Sequence, residues 1–396
     1  MLVVGILSCL SLLVWLFFLF GRGGFWRIAW PAAVPAPAQW PGVVAIVPAR
    51  NEAGCIGPSL RSLLTQTYAG ELTVIMVDDH SDDGTASIAA AVAREVGAAH
   101  RLIVIPAPPL PADWVGKVGA QQQGVAAAAA IAPHAEFLFL TDADVDHPAD
   151  ELASLVARAV AGHLDLASEM VRLRAVSPAE RWLVPAFAYF FAQLYPPRWV
   201  ADPRRATAAA AGPCMLVRRA ALDAIGQLNA IHSAIIDDCA LAAALKPHGA
   251  IRLDPSKGAI SLRAYADWHP IWQMVARSAF TELHGSYLAL AAVTVTMLLN
   301  FLVPPLLAIA GALSGAWWGW PAAMAWLAMA VSYRPTLRHY GQPGWHALLM
   351  PLVAMFFLGA MLDSARLRRL GRGGEWKGRV NNVANWNDIS ESVELW

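Results

Sequence analysis

The stretch FLFLTDAD at residues 137–144 places two carboxylates directly after a short apolar run. Continuous apolar runs of this length suit strands of a parallel sheet that is buried on both faces. Three earlier runs have the same character: Val43 to Val47, Leu72 to Val77 and Leu102 to Ile105. Helix-like segments lie between the runs: Gly57 to Thr67, Thr85 to Gly97 and Gly119 to Ala132. This alternation predicts an α/β fold, a three-layer sandwich of helices around a sheet.

Polar residues follow three of these four predicted strands. They are PARNE at 48–52, DDHSDDGT at 78–85 and TDAD at 141–144. In such sheets ligands bind beyond the carboxyl ends of the strands. So many acids near one edge repel one another, and a bound cation would offset that repulsion. Neither GxGxxG nor GxxxxGK[ST] follows the first strand, which disfavours dinucleotide and P-loop sites.

Asp142 and Asp144 are the candidate cation ligands. They are two residues apart at a strand end, so both can turn towards one ligand. Hard oxygen ligands suit Mg²⁺ or Mn²⁺, which take one or two protein carboxylates together with phosphate oxygens. Such a metal would neutralise a diphosphate leaving group.

In order and spacing, these motifs resemble the inverting family 2 glycosyltransferases of the GT-A fold, over about residues 43 to 285. The resemblance implies a nucleotide-sugar donor, with Asp144 as the ligand of Mg²⁺ or Mn²⁺. It also implies that Asp79 helps to hold the nucleotide base and that Asp142 lies near the ribose and base. The residues that it assigns to the nucleotide-sugar are Pro48, Arg50, Glu52, Asp79, Lys117 and Asp142. Lys117 stands in WVGKVGAQQQG at 114–124, similar to the family's WxGKxxAxxxG, and a solvated surface lysine is the alternative.

A second set of residues resembles the acceptor half of that family. AGPCMLVRRAAL at 211–222 predicts a strand running into a helix and contains Gly212. IDDCAL at 236–241 matches the family's EDxxL pattern, with Asp237 in place of Glu. The resemblance implies that Asp238 is the general base, which takes the proton of an acceptor hydroxyl. A helix N-cap is the alternative for these acids.

The Q/RxxRW signature of processive relatives is degraded here. Residues 272–278 keep Arg277 but lack the tryptophan, which favours transfer of a single sugar over polymer synthesis. Arg277 is a candidate for the diphosphate side of the site, with a surface role as the alternative.

Composition and apolar segments predict a membrane protein. The mean hydropathy is +0.45 and 15% of residues are charged, against about 25% in soluble proteins. Leu2 to Phe20 is an apolar run of spanning length, and the basic residues Arg22 and Arg27 follow it. This asymmetry favours an uncleaved anchor with its N-terminus outside and the catalytic domain in the cytoplasm, at the inner membrane. The C-terminal candidate segments are Tyr287 to Ala312, Trp317 to Val331 and His346 to Met361, and the number of crossings stays open.

The predicted domains are an N-terminal anchor at 1–21, a linker at 22–41, the GT-A catalytic domain at 42–285, C-terminal membrane segments at 286–363 and a basic cytoplasmic tail at 364–396. Lys plus Arg and Asp plus Glu both number 29, so no excess charge points to nucleic acid. This layout, with WKGR at 376–379, most resembles the hopanoid-biosynthesis-associated membrane glycosyltransferases. The resemblance implies transfer from a UDP-sugar to a membrane lipid, such as a hopanoid.

Two alternatives stay open at this point. The first is a polyprenyl-phosphate sugar transferase, for which Arg204-Arg205 and Arg218-Arg219 are candidate phosphate ligands. The second is a non-catalytic scaffold that binds nucleotide-sugar. The sequence leaves the sugar, the acceptor and the oligomeric state open.

Overall fold

The computed structural model describes residues 1–111 and 113–370. The strands are β1 (Val43–Ala49), β2 (Leu72–Asp78), β3 (Leu102–Pro106), β4 (Phe137–Leu140), β5 (Val145–Asp146), β6 (Leu164–Arg172), β7 (Met215–Arg218) and β8 (Ala250–Ser261). The helices are α1 (Leu2–Phe20), α2 (Ile56–Leu64), α3 (Thr85–Glu95), α4 (Gly116–Ile131), α5 (Glu151–Ala161), α6 (Pro178–Leu194), α7 (Pro197–Ala201), α8 (Arg219–Ala224), α9 (Asp237–Leu245), α10 (Trp268–Glu282), α11 (Tyr287–Met297), α12 (Val303–Ser314), α13 (Gly319–His339) and α14 (Met350–Arg369). The WKGR segment and most of the predicted tail lie outside the described residues.

The chain forms two compact units, each described here by itself. The sheet unit contains Ala32–Val171 and Ala209–Leu262. The helical unit contains Met1–Pro31, Arg172–Ala208 and the described residues from Arg263 onwards. Residues 172–208 and 263–285, which the sequence analysis assigned to the catalytic range, therefore group with the apolar helices. The predicted domain boundaries stay a prediction.

Within the described residues, the strands of the sheet unit form one sheet in the order β3-β2-β1-β4-β7-β6-β8-β5. β1 is parallel to β2 and to β4, and β2 is parallel to β3. The predicted parallel strands are thus confirmed, and their carboxyl ends meet at one edge. β7 is antiparallel to β4 and to β6, and β5 is antiparallel to β8. The sheet is therefore mixed. β7 and α8 confirm the strand and helix predicted within residues 211–222, whereas the antiparallel pairing and strands β5, β6 and β8 were not predicted.

The core of the sheet unit is built around β1, whose residues are all buried. Helix α4 contacts both β1 and β2. Gly124 is a residue of α4 that faces these strands. A Cβ atom on Gly124 would lie 2.4 Å from Cγ2 of Ile46 and 3.3 Å from Cγ2 of Val77. The absence of a side chain therefore sets how closely α4 packs on the sheet.

The helical unit carries the apolar segments. Three helical stretches within the described residues are long and apolar enough to cross a membrane: Leu2–Phe20, Tyr287–Ser314 and Gly344–Arg369. Their composition indicates membrane association. The predicted segment from Trp317 to Val331 falls mostly in α13 and is not among these three.

Polar contacts join the helices inside this unit. The indole Nε1 of Trp15 on α1 donates to the carbonyl oxygen of Asn300, 2.8 Å away, in a π-helical segment, Leu298–Leu302. The hydroxyls of Tyr189 on α6 and Ser332 on α13 are 2.7 Å apart. Tyr189 is buried among apolar side chains of the same unit. The aromatic residues of α6 therefore contribute to a helical core.

The close packing of α4 on β1 gives a stability prediction. Gly124→Ala should lower the melting temperature of the detergent-solubilised protein, because overpacking of this contact costs about 1–3 kcal/mol. Gly57→Ala is the matched control, since its Cβ would lie 3.6 Å from the nearest atom, an ordinary contact, and alanine favours a helix. Equal melting temperatures for Gly124→Ala and wild type would contradict this account of the packing.

Candidate active site

The loops after β1 and β2 are tied together at the carboxyl edge of the sheet. The amide of Asp79 donates to the carbonyl oxygen of Ala49 at 2.8 Å. Nη1 of Arg50 donates to the carbonyl oxygen of Asp79 at 2.7 Å and lies 3.8 Å from its carboxylate. Arg50 and the buried Asp79 therefore contact each other, which is the arrangement expected if both residues bind the same nucleotide.

The backbone from Asn51 onwards is shaped by side chains of the acidic loop. The amide of Asn51 donates to the hydroxyl of Ser81 at 3.0 Å, and that of Glu52 donates to the hydroxyl of Thr85 at 2.9 Å. The amide of Ala53 donates to the Asp83 carboxylate at 2.9 Å. Hydrogen bonds from the Thr85 side chain and the Ala53 backbone lower the pKa of Asp83. Asp83 therefore has a role in loop structure, so the acid density in DDHSDDGT is not all available for a ligand.

Lys117 lies in the first turn of α4 and joins acids from two other segments. Its Nζ atom is 2.9 Å from Oδ1 of Asp142, which follows β4, and 3.1 Å from Oδ2 of Asp237, which begins α9. The Lys117 side chain is 16% exposed, so it is not a solvated surface lysine. Burial alone would lower the pKa of Lys117, but Asp142, Asp237 and Asp238 together raise it above its usual value. Lys117 is therefore a permanent positive charge among these carboxylates.

Asp238 faces the loop that contains Gly212. The amide of Gly212 donates to Oδ2 of Asp238 at 2.8 Å, and the amide of Cys239 donates to Oδ1 at 2.8 Å. Burial and the charge of Asp237 raise the pKa of Asp238 to about 6, although Lys117 and the two amides act in the opposite direction. Such a carboxylate is ionised at neutral pH yet can accept a proton.

Gly212 leaves space beside these charged groups. A Cβ atom there would lie 2.9 Å from Nζ of Lys117 and 3.4 Å from Oδ2 of Asp238. The structure thus brings Gly212, Lys117, Asp142, Asp237 and Asp238 together. A side chain at residue 212 would occupy the space beside the carboxylate and the ammonium group.

The donor set for a divalent cation consists of carboxylate oxygens. Asp144 is buried, and its backbone carbonyl accepts from the amide of Leu262 at 2.7 Å, which fixes the chain after β4. Among residues 1–111 and 113–370, no three His, Cys, Asp or Glu side chains form a complete metal site. Asp144, with Asp142 two residues earlier, fits Mg²⁺ or Mn²⁺ that takes its remaining ligands from phosphate and water.

A cavity of about 170 Å³ lies beside Asp79. Its wall includes Trp114, Gln122 and Gln123 near and on α4, together with Asn229. Gln122 and Asn229 were not singled out from the sequence. The QQQ run at 121–123 was the available signal for Gln122. The side-chain amide of Gln122 donates to Gln227 at 2.8 Å and accepts from the backbone amide of Leu228 at 3.1 Å, so it fixes the segment after α8.

The comparison with protein families decides the class. The family model "Glycosyltransferase like family 2" matches residues 41–251. The chain belongs to this family. It is therefore a glycosyltransferase that uses a nucleotide-sugar, and the predicted enzyme class and GT-A-like fold are confirmed. A search of curated protein sequences finds no match.

The chain is also similar to solved structures, the first of which shares its fold. The mannosyltransferase PcManGT from Pyrobaculum calidifontis, in complex with GDP-Man and Mn²⁺, has a TM-score of 0.55 and 20% identity, over 93% of this chain and 98% of that one. The glucosyl-3-phosphoglycerate synthase from Mycobacterium tuberculosis, in complex with Mg²⁺ and UDP, has a TM-score of 0.42 and 17% identity, over 61% and 78% of the two chains.

Two further predicted residues of this family 2 glycosyltransferase, Pro48 and Arg277, also lie outside the cluster around Lys117. Pro48 is a buried residue of β1, paired with Val77, so it contributes backbone shape at the strand end. Arg277 lies on α10 in the helical unit. Its predicted contact with a diphosphate stays a prediction.

Gly212→Ala tests the open space at the site. The added Cβ should displace the flexible end of Lys117 with little effect on the fold, so the melting temperature should stay close to that of wild type. Turnover of the nucleotide-sugar should fall roughly tenfold or more, because the charged groups lose their alignment. Gly57→Ala again serves as the control, and unchanged turnover in Gly212→Ala would show that this space is not used.

Proposed function

We propose that the protein transfers a single sugar from a UDP-sugar to a lipid acceptor in the membrane, with inversion at the anomeric carbon. The observation that carries this proposal is the carboxylate of Asp238. It accepts a hydrogen bond from the Gly212 amide and interacts electrostatically with the Lys117 ammonium group, and its pKa is raised to about 6. This is the arrangement that a general base needs at neutral pH.

In this mechanism Asp238 accepts the proton of the acceptor hydroxyl as its oxygen forms a bond to the anomeric carbon. The bond from that carbon to the diphosphate oxygen breaks, and the nucleoside diphosphate leaves from the opposite face. A single displacement of this kind inverts the configuration. The Gly212 amide holds the carboxylate in place, and Lys117 stabilises its ionised form.

The donor is assigned to the carboxyl edge of the parallel strands. We assign the nucleotide to Asp79 and Arg50, with Glu52 on the same loop. We assign the ribose and phosphate side of the nucleotide to Asp142 and Lys117. Asp144 would hold Mg²⁺ or Mn²⁺, which supplies Lewis-acid stabilisation of the diphosphate when bound. The GDP-mannose and Mn²⁺ bound by PcManGT support the use of a nucleotide-sugar with a divalent cation.

Two features support a lipid acceptor, the candidate membrane spans and the layout of the chain, and the degraded processive signature supports transfer of a single sugar. The helical unit contains three candidate membrane spans. The signature of processive enzymes is incomplete around Arg277. The layout of the chain resembles the hopanoid-associated glycosyltransferases, so a hydroxylated hopanoid is the first acceptor to test. We further propose that the protein lies in the inner membrane and that its sheet unit faces the cytoplasm, where nucleotide-sugars are made.

The contacts of the basic pairs do not favour a phosphate acceptor. In the helical unit, Arg204 and Arg205 form ion pairs with Asp202. In the sheet unit, Arg218 forms ion pairs with Glu136 and Asp165. A polyprenyl-phosphate acceptor would compete with these carboxylates for the guanidinium groups, whereas a neutral hydroxyl acceptor would not.

Asp238→Asn tests the base. Turnover should fall roughly 10²- to 10⁴-fold, because the acceptor proton has no carboxylate to receive it. The dissociation constant of the nucleotide-sugar should stay close to that of wild type. The control is Asp223→Asn, an exposed acid on α8 of the same unit. The measurement uses the full chain in detergent with Mn²⁺ and UDP-glucose, UDP-galactose, UDP-N-acetylglucosamine or GDP-mannose as donor.

The same assay separates the alternatives when a hydroxylated hopanoid and a polyprenyl phosphate are supplied in separate micelles. Product formed only on the hopanoid, with inverted anomeric configuration by NMR, supports the proposal. Product formed only on the polyprenyl phosphate would show that the acceptor is a lipid phosphate and not a lipid hydroxyl. Wild-type turnover by Asp238→Asn would remove its role as base. Nucleotide-sugar binding without turnover on any acceptor would favour the scaffold.

A further inference from the structure

The Gly212 amide belongs to a short turn at residues 211–214. The amide of Cys214 donates to the carbonyl oxygen of Ala211 at 3.0 Å, which closes the turn just before β7 begins at Met215. Inside this turn, the Gly212 amide donates to Oδ2 of Asp238. The direction of that amide therefore depends on what holds the turn.

Ser168 on β6 holds both ends of the turn. Its hydroxyl oxygen accepts from the amide of Ala211 at 2.8 Å, and the hydroxyl donates to the carbonyl oxygen of Cys214 at 2.9 Å. Ser168 is opposite Met215 in the register of β6 and β7 and is 1% exposed. A hydroxyl is one of the few side chains that can both accept and donate at one atom, as these two contacts require.

Thr141 holds the middle of the turn from the end of β4. Its hydroxyl donates to the carbonyl oxygen of Pro213 at 2.8 Å, and Nε2 of His147 lies 2.9 Å from the same oxygen. Since the hydroxyl proton is used on Pro213, the His147 ring must donate its Nε2 proton to Thr141. Burial lowers the pKa of His147 to about 3, so the ring stays neutral and supplies one fixed donor.

We propose that Ser168 and Thr141 are positioning residues, which clamp the turn at 211–214 so that the Gly212 amide is directed at Asp238. This inference rests on the proposed role of Asp238 as the base. Neither hydroxyl contacts Asp238, so each acts on it only through the turn. Hydroxyl side chains suit positions 168 and 141 because the buried carbonyl and amide groups of the turn need hydrogen-bond partners.

The clamp has a measurable effect on the titration of Asp238. A hydrogen bond from an amide favours the ionised carboxylate, so loosening the Gly212 amide should raise the pKa of Asp238. The charged groups that face Asp238 are Lys117 from α4 and Asp237 from α9, with Asp142 paired to Lys117. Ser168→Ala and Thr141→Val leave all of these in place. A shift in the pH profile would therefore report on the Gly212 amide.

The experiment measures nucleotide release from the donor that turns over best in the panel above, as a function of pH, in the full chain. In wild type, the rate constant kcat/KM should fall below a pH of about 6, where Asp238 becomes protonated. In Ser168→Ala and Thr141→Val this acidic limb should move up by about half to one pH unit, and kcat should fall roughly tenfold. The dissociation constant of the donor should not change.

Ser256→Ala is the matched control. Ser256 is also fully buried in the sheet unit, and its hydroxyl accepts from the backbone amides of Gly258 and Ala259. It should lower stability in a similar way without moving the acidic limb. A purely structural role for Ser168 and Thr141 would give profiles like that of Ser256→Ala.

The outcomes distinguish this inference from the proposed function. If Asp238→Asn turns over like wild type, the base assignment itself is wrong. If Asp238→Asn is inactive but Ser168→Ala and Thr141→Val both keep the wild-type acidic limb, the base stands and the clamp is overturned. Loss of nucleotide-sugar binding in both hydroxyl variants, with binding kept in Ser256→Ala, would assign the two hydroxyls to the donor site and also overturn it.

Discussion

The ion pairs of Lys117 are the interaction on which the site depends. This one side chain binds Asp142 and Asp237. All three side chains are at least partly buried. The three residues come from the start of α4, the end of β4 and the start of α9, which are far apart in the sequence. Without the ammonium group, three neighbouring carboxylates would share a poorly solvated space, at a high electrostatic cost.

The charge balance of this cluster also explains its chemistry. One lysine faces Asp142, Asp237 and Asp238, so the cluster keeps an excess of negative charge. Burial, and after it the charge of Asp237, raise the pKa of Asp238, which makes it a better proton acceptor than an exposed carboxylate. The excess negative charge suits a divalent cation that arrives with the donor diphosphate. In the proposed mechanism, base and leaving group therefore depend on the same electrostatic environment.

The parallel half of the sheet could be predicted because its strands are short continuous apolar runs, such as Phe137 to Leu140 and Leu72 to Val77. In the antiparallel half, β7 could be predicted, but β6 and β8 could not. β8 contains Arg252 and Asp254, and β6 contains Glu169, so neither strand has an apolar pattern. Glu169 and Asp254 are tolerated inside because Arg158 on α5 forms ion pairs with both. Such a network is visible only when the elements are assembled.

In the candidate site, too, the sequence indicates some features and only the assembled structure shows the others. Asp142, Asp144 and Asp238 could be singled out because they stand in ordered motifs at strand and helix ends. Lys117, Asp237 and Gly212 could also be singled out, but not the contacts of Lys117 with Asp237 and of Gly212 with Asp238, since these join distant segments. Ser168 carries no signal of its own, because it is a single polar residue in a strand. Its role emerges from the backbone groups of the neighbouring turn.

The most direct test of the central claim is binding of nucleotide-sugars to the full chain in detergent, with and without Mn²⁺. The account predicts metal-dependent binding of one UDP-sugar to wild type, lost in Asp144→Ala and kept in Asp146→Ala, an exposed acid two residues further along. Metal-dependent binding that survives in Asp144→Ala would contradict the assignment of the metal site. No binding of any nucleotide-sugar by a folded sample would contradict the donor site as a whole.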